Sequence, residues 1–278
     1  MQKKVLALLL IISCGMFMGL KVITDKIPRK IVPGASIIYI PSGKYLKYAC
    51  FGHSSLLADL IYIWAIQYFS NYSVPERFQY LTHVFSIISE LDPEYLDPYQ
   101  VGALIAVYDA RDFDSAMDIL ELGLKNNPEQ WIFPWQAGHY AQILLKDFGL
   151  AKKYYQTAME IEGSPPITKR LYSNAVYELG DYHTAWKNWL EIYNSSDDER
   201  VKKIASNHLY RTKAAMDIQK ITGALKEYQN KFTRLPEKLA DLVASGFLDK
   251  VPQDLDGQDY VYDSDTGEIK TRVIPWKR

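Results

Sequence analysis

The stretch DFDSAMDILELGLKNNP, residues 112–128, decides the fold. It places Ala116 four residues before Leu120 and seven before Gly123, the spacing of one face of an α-helix. Pro128 follows twelve residues after Ala116, where a helix must stop. The stretch therefore predicts an amphipathic helix with small, large and small side chains in turn on its buried face.

The same pattern recurs along the chain. Positions 81, 116, 151 and 185 are separated by 35, 35 and 34 residues, and a large side chain follows each of them four residues later. In the first three units a Pro or Gly stands twelve residues after the first position. The eight anchor residues of the repeat are Leu81, Phe85, Ala116, Leu120, Ala151, Tyr155, Ala185 and Trp189. A period of this length predicts stacked helical hairpins, each of which packs on its neighbours.

Several local motifs carry a family resemblance. Asp112-Phe113 precedes the helix of Ala116, the run 180–185 reads Gly-Asp-Tyr-His-Thr-Ala, and Leu91-Asp92-Pro93 ends a unit. Over residues 56–197 the chain resembles the tetratricopeptide repeat, a helix-turn-helix unit of about 34 residues. The resemblance implies a mostly α fold: an α-solenoid of about four helical hairpins whose groove receives a protein partner.

The amino-terminal segment has the sequence features of a membrane anchor. Lys3 and Lys4 precede an apolar run, and 19 residues to Ile23 form a helix of about 28 Å, close to the hydrocarbon thickness. Residues 1–23 are therefore predicted to be a single transmembrane anchor in a bacterial inner membrane, with the rest in the periplasm. Basic residues after the span outnumber those before it, which opposes this orientation. Residues 11–14 are similar to a lipobox, so lipidation of Cys14 in an outer-membrane lipoprotein is the alternative.

The remaining segments flank the repeats. Frequent Pro and Gly residues predict a connector over residues 24–55. The apolar helix of residues 56–72 is expected to be buried. Residues 198–278 predict a long helix followed by a small α+β cap with a β-hairpin. Residues 214–271 resemble the globular part of type II secretion pseudopilins, which implies a calcium site. The weak candidates for calcium ligands are Asp254, Asp256, Asp263 and Asp265. The alternative interpretation is an acidic hairpin exposed to solvent.

Catalytic and cofactor motifs are missing from the sequence. The five histidines are scattered without metal-binding spacing, and no phosphate loop or nucleophile elbow occurs. With 32 Lys and Arg against 33 Asp and Glu, nothing favours nucleic acid as a partner. These observations predict a protein that is not an enzyme and has no cofactor.

The 37 aromatic residues, 21 Tyr, 10 Phe and 6 Trp, exceed what the anchors use. The candidates for a partner groove are Tyr99, Tyr108, Trp131, Tyr140 and Tyr172. We expect a non-enzymatic, membrane-tethered scaffold for protein–protein interaction in the bacterial cell envelope, with a secretion or pilus-type assembly as one setting. The alternative is a glycan-binding repeat module of an exopolysaccharide export system. A continuous stripe of exposed aromatic rings would favour the glycan, whereas covered rings beside charged groove residues would favour a protein.

Overall fold

A computed structural model of the chain describes residues 2–25, 40–74 and 76–273. This part is mostly helical and ends in a small two-stranded antiparallel sheet. Its helices are α1 (Gln2–Asp25), α2 (Gly43–Ala49), α3 (Ser54–Phe69), α4 (Leu81–Leu91), α5 (Leu96–Ile105), α6 (Phe113–Asn126), α7 (Ile132–Tyr140), α8 (Phe148–Glu160), α9 (Ile167–Glu178), α10 (Tyr182–Ser195), α11 (Glu199–Phe232) and α12 (Ala240–Ala244). The strands are β1 (Val261–Tyr262) and β2 (Ile269–Lys270).

Four helical hairpins form the centre of the molecule: α3–α4, α5–α6, α7–α8 and α9–α10. The second helix of each also packs on the first helix of the next hairpin. In the last three hairpins an aspartate caps the second helix, because Asp112, Asp147 and Asp181 accept hydrogen bonds from backbone N–H groups three residues on at 2.9–3.1 Å. The caps start these helices at equivalent positions.

The anchor positions of the repeat lie in the core. Ala116, Ala151 and Ala185 are completely buried, and Leu81 is nearly so. The large residues four positions later, Phe85, Leu120, Tyr155 and Trp189, are all buried as well. Small side chains at the first positions let neighbouring helices approach each other, and the large ones fill the space between hairpins.

Two π-helical turns interrupt the regular hairpins. Ala106–Ala110 continues α5 and Ala141–Leu145 continues α7, whereas α9 ends without such a turn. A π turn holds one more residue than an α-helical turn. The two 35-residue spacings contain a π turn and the 34-residue spacing does not, so the extra residue of the longer units lies in the π turn.

The amino end differs from expectation. Among the helices whose placement the structure describes, none combines the length and the apolar character needed to cross a membrane, so the predicted span has no support there. Side chains of α1 between Leu9 and Ile23 are exposed, Cys14 among them. Part of the predicted connector, residues 26–39, lies outside the described residues.

The structure adds two details to the expectations for this end. The carboxyl end of the predicted connector folds as α2, which packs on α4. Helix α3 is buried on one face only: Ala58, Ile61 and Ala65 face the core, whereas Leu56 and Leu60 are more than half exposed.

Helix α11 belongs to two separate cores. Ala205 and Leu209 in its first half cover Trp189 and neighbouring residues of the last hairpin. Ile221, Leu225 and Tyr228 in its second half pack with the carboxyl-terminal segment. The predicted β-hairpin is present, with Val261 paired to Lys270 and Tyr262 to Ile269.

A buried polar cluster joins this segment to α11. Tyr210 donates a hydrogen bond to Asp254 at 2.6 Å, and Tyr260 donates one to Asp217 at 2.7 Å. Lys213 forms an ion pair with Asp217. Burial and the hydrogen bond to Asp217 raise the pKa of Tyr260. The carboxyl-terminal segment is thus fixed to the long helix by charge-assisted hydrogen bonds as well as by apolar packing.

Candidate functional site

A groove of about 340 Å³ lies where α9, α10 and α11 meet. Its lining residues are Ile167, Arg170, Leu171, Asn174, Trp189, Ile204, His208 and Arg211. Residues from α9 and α11, the first helix of the last hairpin and the helix that follows it, form most of the lining. An apolar floor with a few polar side chains is the usual composition of a binding groove.

Trp189 and His208 form one wall of the groove. Their rings are stacked, with centroids 3.8 Å apart and an angle of 3° between the planes. Burial, and to a lesser extent the charge of Arg211, lowers the pKa of His208 to about 4. The imidazole is therefore neutral at neutral pH, and the positive charge of the groove comes from arginine.

Arg211 is held in place by contacts outside the groove. Its guanidinium lies 4.0 Å from the ring centroid of Tyr177 and donates a hydrogen bond to Glu178 at 2.9 Å. A guanidinium fixed on two sides loses little conformational freedom when it binds a ligand.

Two residues that line the groove carry a buried donor atom. Neither the Trp189 Nε1 atom nor the Arg170 Nε atom has a hydrogen-bond partner in the described part of the chain. Trp189 is only 1% exposed. An unsatisfied buried donor costs free energy, about 1–3 kcal/mol per group, and both atoms lie beneath the surface that a ligand in the groove would contact.

The five aromatic residues that were predicted to line a partner groove differ in their exposure. Tyr99 and Tyr140 lie in the core at 2% exposure, and Tyr99 also lines a second groove with residues of α4 and α6. Their hydroxyls are also used, since Tyr99 donates to the Pro93 carbonyl at 3.0 Å and Tyr140 accepts from Gln136 at 2.5 Å. Tyr108 is 51% exposed, whereas Trp131 and Tyr172 are half-buried.

Trp131 begins a row of rings along α7. It lies edge-on to Trp135 at 6.5 Å, and Trp135 stacks on His139 at 5.5 Å. Tyr172 packs beside Ala175 and Tyr155 at the next hairpin. The predicted aromatics therefore do not form one continuous exposed stripe.

Two of the four calcium candidates, Asp254 and Asp263, have hydrogen-bond partners within the chain. Asp254 is buried, and its carboxylate accepts hydrogen bonds from Tyr210 and from the backbone of Asp256 and Gln258. Asp263 accepts backbone hydrogen bonds in the turn between β1 and β2. Within the described ranges, no three acidic, histidine or cysteine side chains converge as metal ligands. The implied calcium site has no support from this arrangement.

The polar groove residues were missed by sequence reasoning. Arg170 and Asn174 are spaced by four residues, and His208 and Arg211 by three, which places each pair on one helix face. In the sequence, such pairs look the same as the polar residues of any solvent-exposed helix face. Only Trp189 was singled out, as a repeat anchor, and it does lie in the core beside the groove.

Comparison with known proteins adds no family. The chain matches no protein-family model, and a search of curated proteins returns no match either.

Proposed function

We propose that this chain is a non-enzymatic helical-repeat scaffold of the tetratricopeptide type, whose α9–α11 groove binds an extended segment of a protein partner. The groove itself is the observation that supports the proposal most directly. It combines the half-buried Arg170, the fixed Arg211 and an apolar floor. Backbone carbonyls and acidic side chains of a polypeptide supply acceptors for the guanidinium groups of these arginines.

The covered aromatics favour a protein over a glycan. Tyr99 and Tyr140 are packed inside the hairpins, and arginines rather than open rings line the groove. The row of Trp131, Trp135 and His139 is the one feature that favours a glycan, since stacked rings suit sugar faces. Glycan binding therefore stays the second candidate function.

The cellular setting is a further part of the proposal and rests on the sequence alone. We place the scaffold in a bacterial cell envelope, tethered through residues 1–23, with the repeats facing the periplasm. Alkaline extraction of membranes that hold the full chain tests the tether separately from the groove. A tethered chain stays with the membrane pellet, and a chain released to the supernatant contradicts the tether.

Photo-crosslinking in cells tests the groove. Benzoyl-phenylalanine at Ile204 in the groove is compared with the same probe at Leu190 on α10; the two side chains are 37% and 40% exposed. We expect a reproducible adduct with one envelope protein from position 204 and none of that adduct from position 190. If position 204 gives no protein adduct although the chain is abundant and folded, the scaffold proposal fails and the glycan candidate is tested next.

A further inference from the structure

The end of the helical stack formed by α2 and α3 carries an uncovered apolar face. On α3 the side chains of Leu56, Leu60 and Ile63 are 59%, 57% and 54% exposed. They are spaced by four and three residues, so they form one row along the helix. The opposite side of α3 is buried against α4, so this helix is apolar on both sides. A helix with that composition normally has both sides covered.

Helix α2 and the turn after it extend this face with aromatic rings. Tyr45, Tyr48 and Phe51 are 74%, 85% and 91% exposed, the last being the largest exposure among the big apolar side chains described. Phe51 also has a left-handed backbone, with φ of 50°. Such a conformation is strained for a bulky residue. Helices α2 and α3 both pack on α4, so their exposed side chains lie at the same end of the helical stack.

The charges beside these rings are positive. Lys44 and Lys47 alternate with Tyr45 and Tyr48 on the exposed side of α2. Two acids lie nearby. Glu90 accepts hydrogen bonds from Ser42 and from the Lys44 backbone. Asp59 is exposed at the edge of the α3 row, and burial together with this carboxylate raises the pKa of Tyr95. The face therefore presents apolar and aromatic groups, with two exposed lysines and one exposed carboxylate, that of Asp59, around them.

We propose that this α2–α3 face binds the surface of an anionic lipid bilayer. Tyrosine and lysine around an apolar centre suit the boundary between headgroups and acyl chains, where rings and lysine stems are buried and ammonium groups meet phosphates. Leu56, Leu60, Ile63 and Phe51 enter the boundary, and Lys44 and Lys47 contact the headgroups. The exposed apolar side chains of α1 precede this face in the sequence, and fewer than twenty residues separate α1 from α2. Two copies of the chain joined through this face would bring the exposed lysines together, which disfavours self-association.

The test uses the full chain reconstituted with vesicles of phosphatidylcholine containing phosphatidylglycerol, or of phosphatidylcholine alone. Benzoyl-phenylalanine replaces Leu60, or, as the matched control, Leu179, an exposed leucine at the end of α9. Both positions belong to the same chain, so any tether through α1 affects them equally. We expect lipid adducts from position 60 in the anionic vesicles at about five times the yield from position 179, and fewer adducts in the neutral vesicles.

A second variant separates the charge from the apolar face. Lys44→Gln together with Lys47→Gln removes two positive charges from an exposed surface, and we expect about a tenfold loss of lipid adducts from position 60 in the anionic vesicles. Circular dichroism checks that the helices persist. Equal lipid adducts at positions 60 and 179, or adducts at position 60 that join two copies of the chain, overturn the proposal.

Discussion

Arg111 and Lys146 occupy the same place in consecutive hairpins, 35 residues apart, and both have a left-handed backbone, with φ of 57° and 58°. Each follows a π turn, and the residue after each donates a backbone hydrogen bond to the first residue of that turn, Ala106 or Ala141. In the next hairpin Gly180 holds the left-handed position, with φ of 81°, and no π turn precedes it. The irregular period of the sequence thus has a local structural cause.

The first prediction concerns these two left-handed residues. A side chain in this conformation costs about 1–2 kcal/mol relative to glycine, part of which is offset by the greater freedom of glycine in the unfolded chain. Arg111→Gly and Lys146→Gly should each raise the free energy of unfolding by about 0.5–1 kcal/mol. Gly180→Ala should lower it by about 1 kcal/mol. Thermal unfolding measures all three, and a destabilising Arg111→Gly would contradict the assignment of strain.

The second prediction concerns close packing at Gly138. A methyl group at that position would lie 2.9 Å from two ring carbons of the buried Tyr155. Gly138→Ala should therefore destabilise the chain by about 1–3 kcal/mol through overpacking. Gly223 on α11 is the control, because nothing lies within 4 Å of an added methyl group there. Gly223→Ala should stabilise the chain by about 0.5–1 kcal/mol, and equal effects of the two changes would refute the packing argument.

The helical fold is predictable from the sequence because the buried positions recur with the same period as the sequence pattern. Ala116, Ala151 and Ala185 show the period directly, and small residues at these places have one physical reason, the approach of two helices. The π turns are not predictable in this way, since Ala106–Ala110 and Ala141–Leu145 carry no distinct pattern. The groove was missed for a different reason. Arg170 and Arg211 line a groove only because of the residues beside them on other helices. The local sequence pattern does not show which residues those are.

The third prediction concerns the pH dependence of stability. His208 has a pKa of about 4 in the folded chain and about 6.5 when unfolded. The unfolded chain therefore binds the proton first as the pH falls, so this stability is complete above pH 6.5 and is lost towards pH 4.

His208→Phe keeps a ring beside Trp189 but does not titrate. Between pH 6.5 and 4, the wild-type chain should lose about 2–3 kcal/mol more stability than this variant. His139, whose pKa burial also lowers, is present in both chains and cancels in the comparison. Urea unfolding at several pH values measures the difference, and parallel curves would show that His208 titrates normally in the fold.

The fourth prediction concerns the polar cluster on α11. Tyr210→Phe removes the 2.6 Å hydrogen bond to the buried Asp254 and should cost about 1.5–3 kcal/mol. Tyr45→Phe, at a position that is 74% exposed, is the control and should change nothing measurable. Hydrogen exchange should speed up in residues 252–262 of the Tyr210→Phe chain. Unchanged exchange there would mean that apolar packing alone holds the segment to α11.

Substituting two neighbouring basic residues of α9 in turn gives the most direct test of partner binding in the groove. Arg170 lines the groove, whereas Lys169 forms an ion pair with Glu191 outside it. In chains that carry the photo-crosslinker at Ile204, Arg170→Gln should reduce the yield of the protein adduct about tenfold, because hydrogen bonds from a charged donor are lost. Lys169→Gln should leave the yield unchanged. Equal yields from the two variants would contradict the assignment of partner binding to this groove.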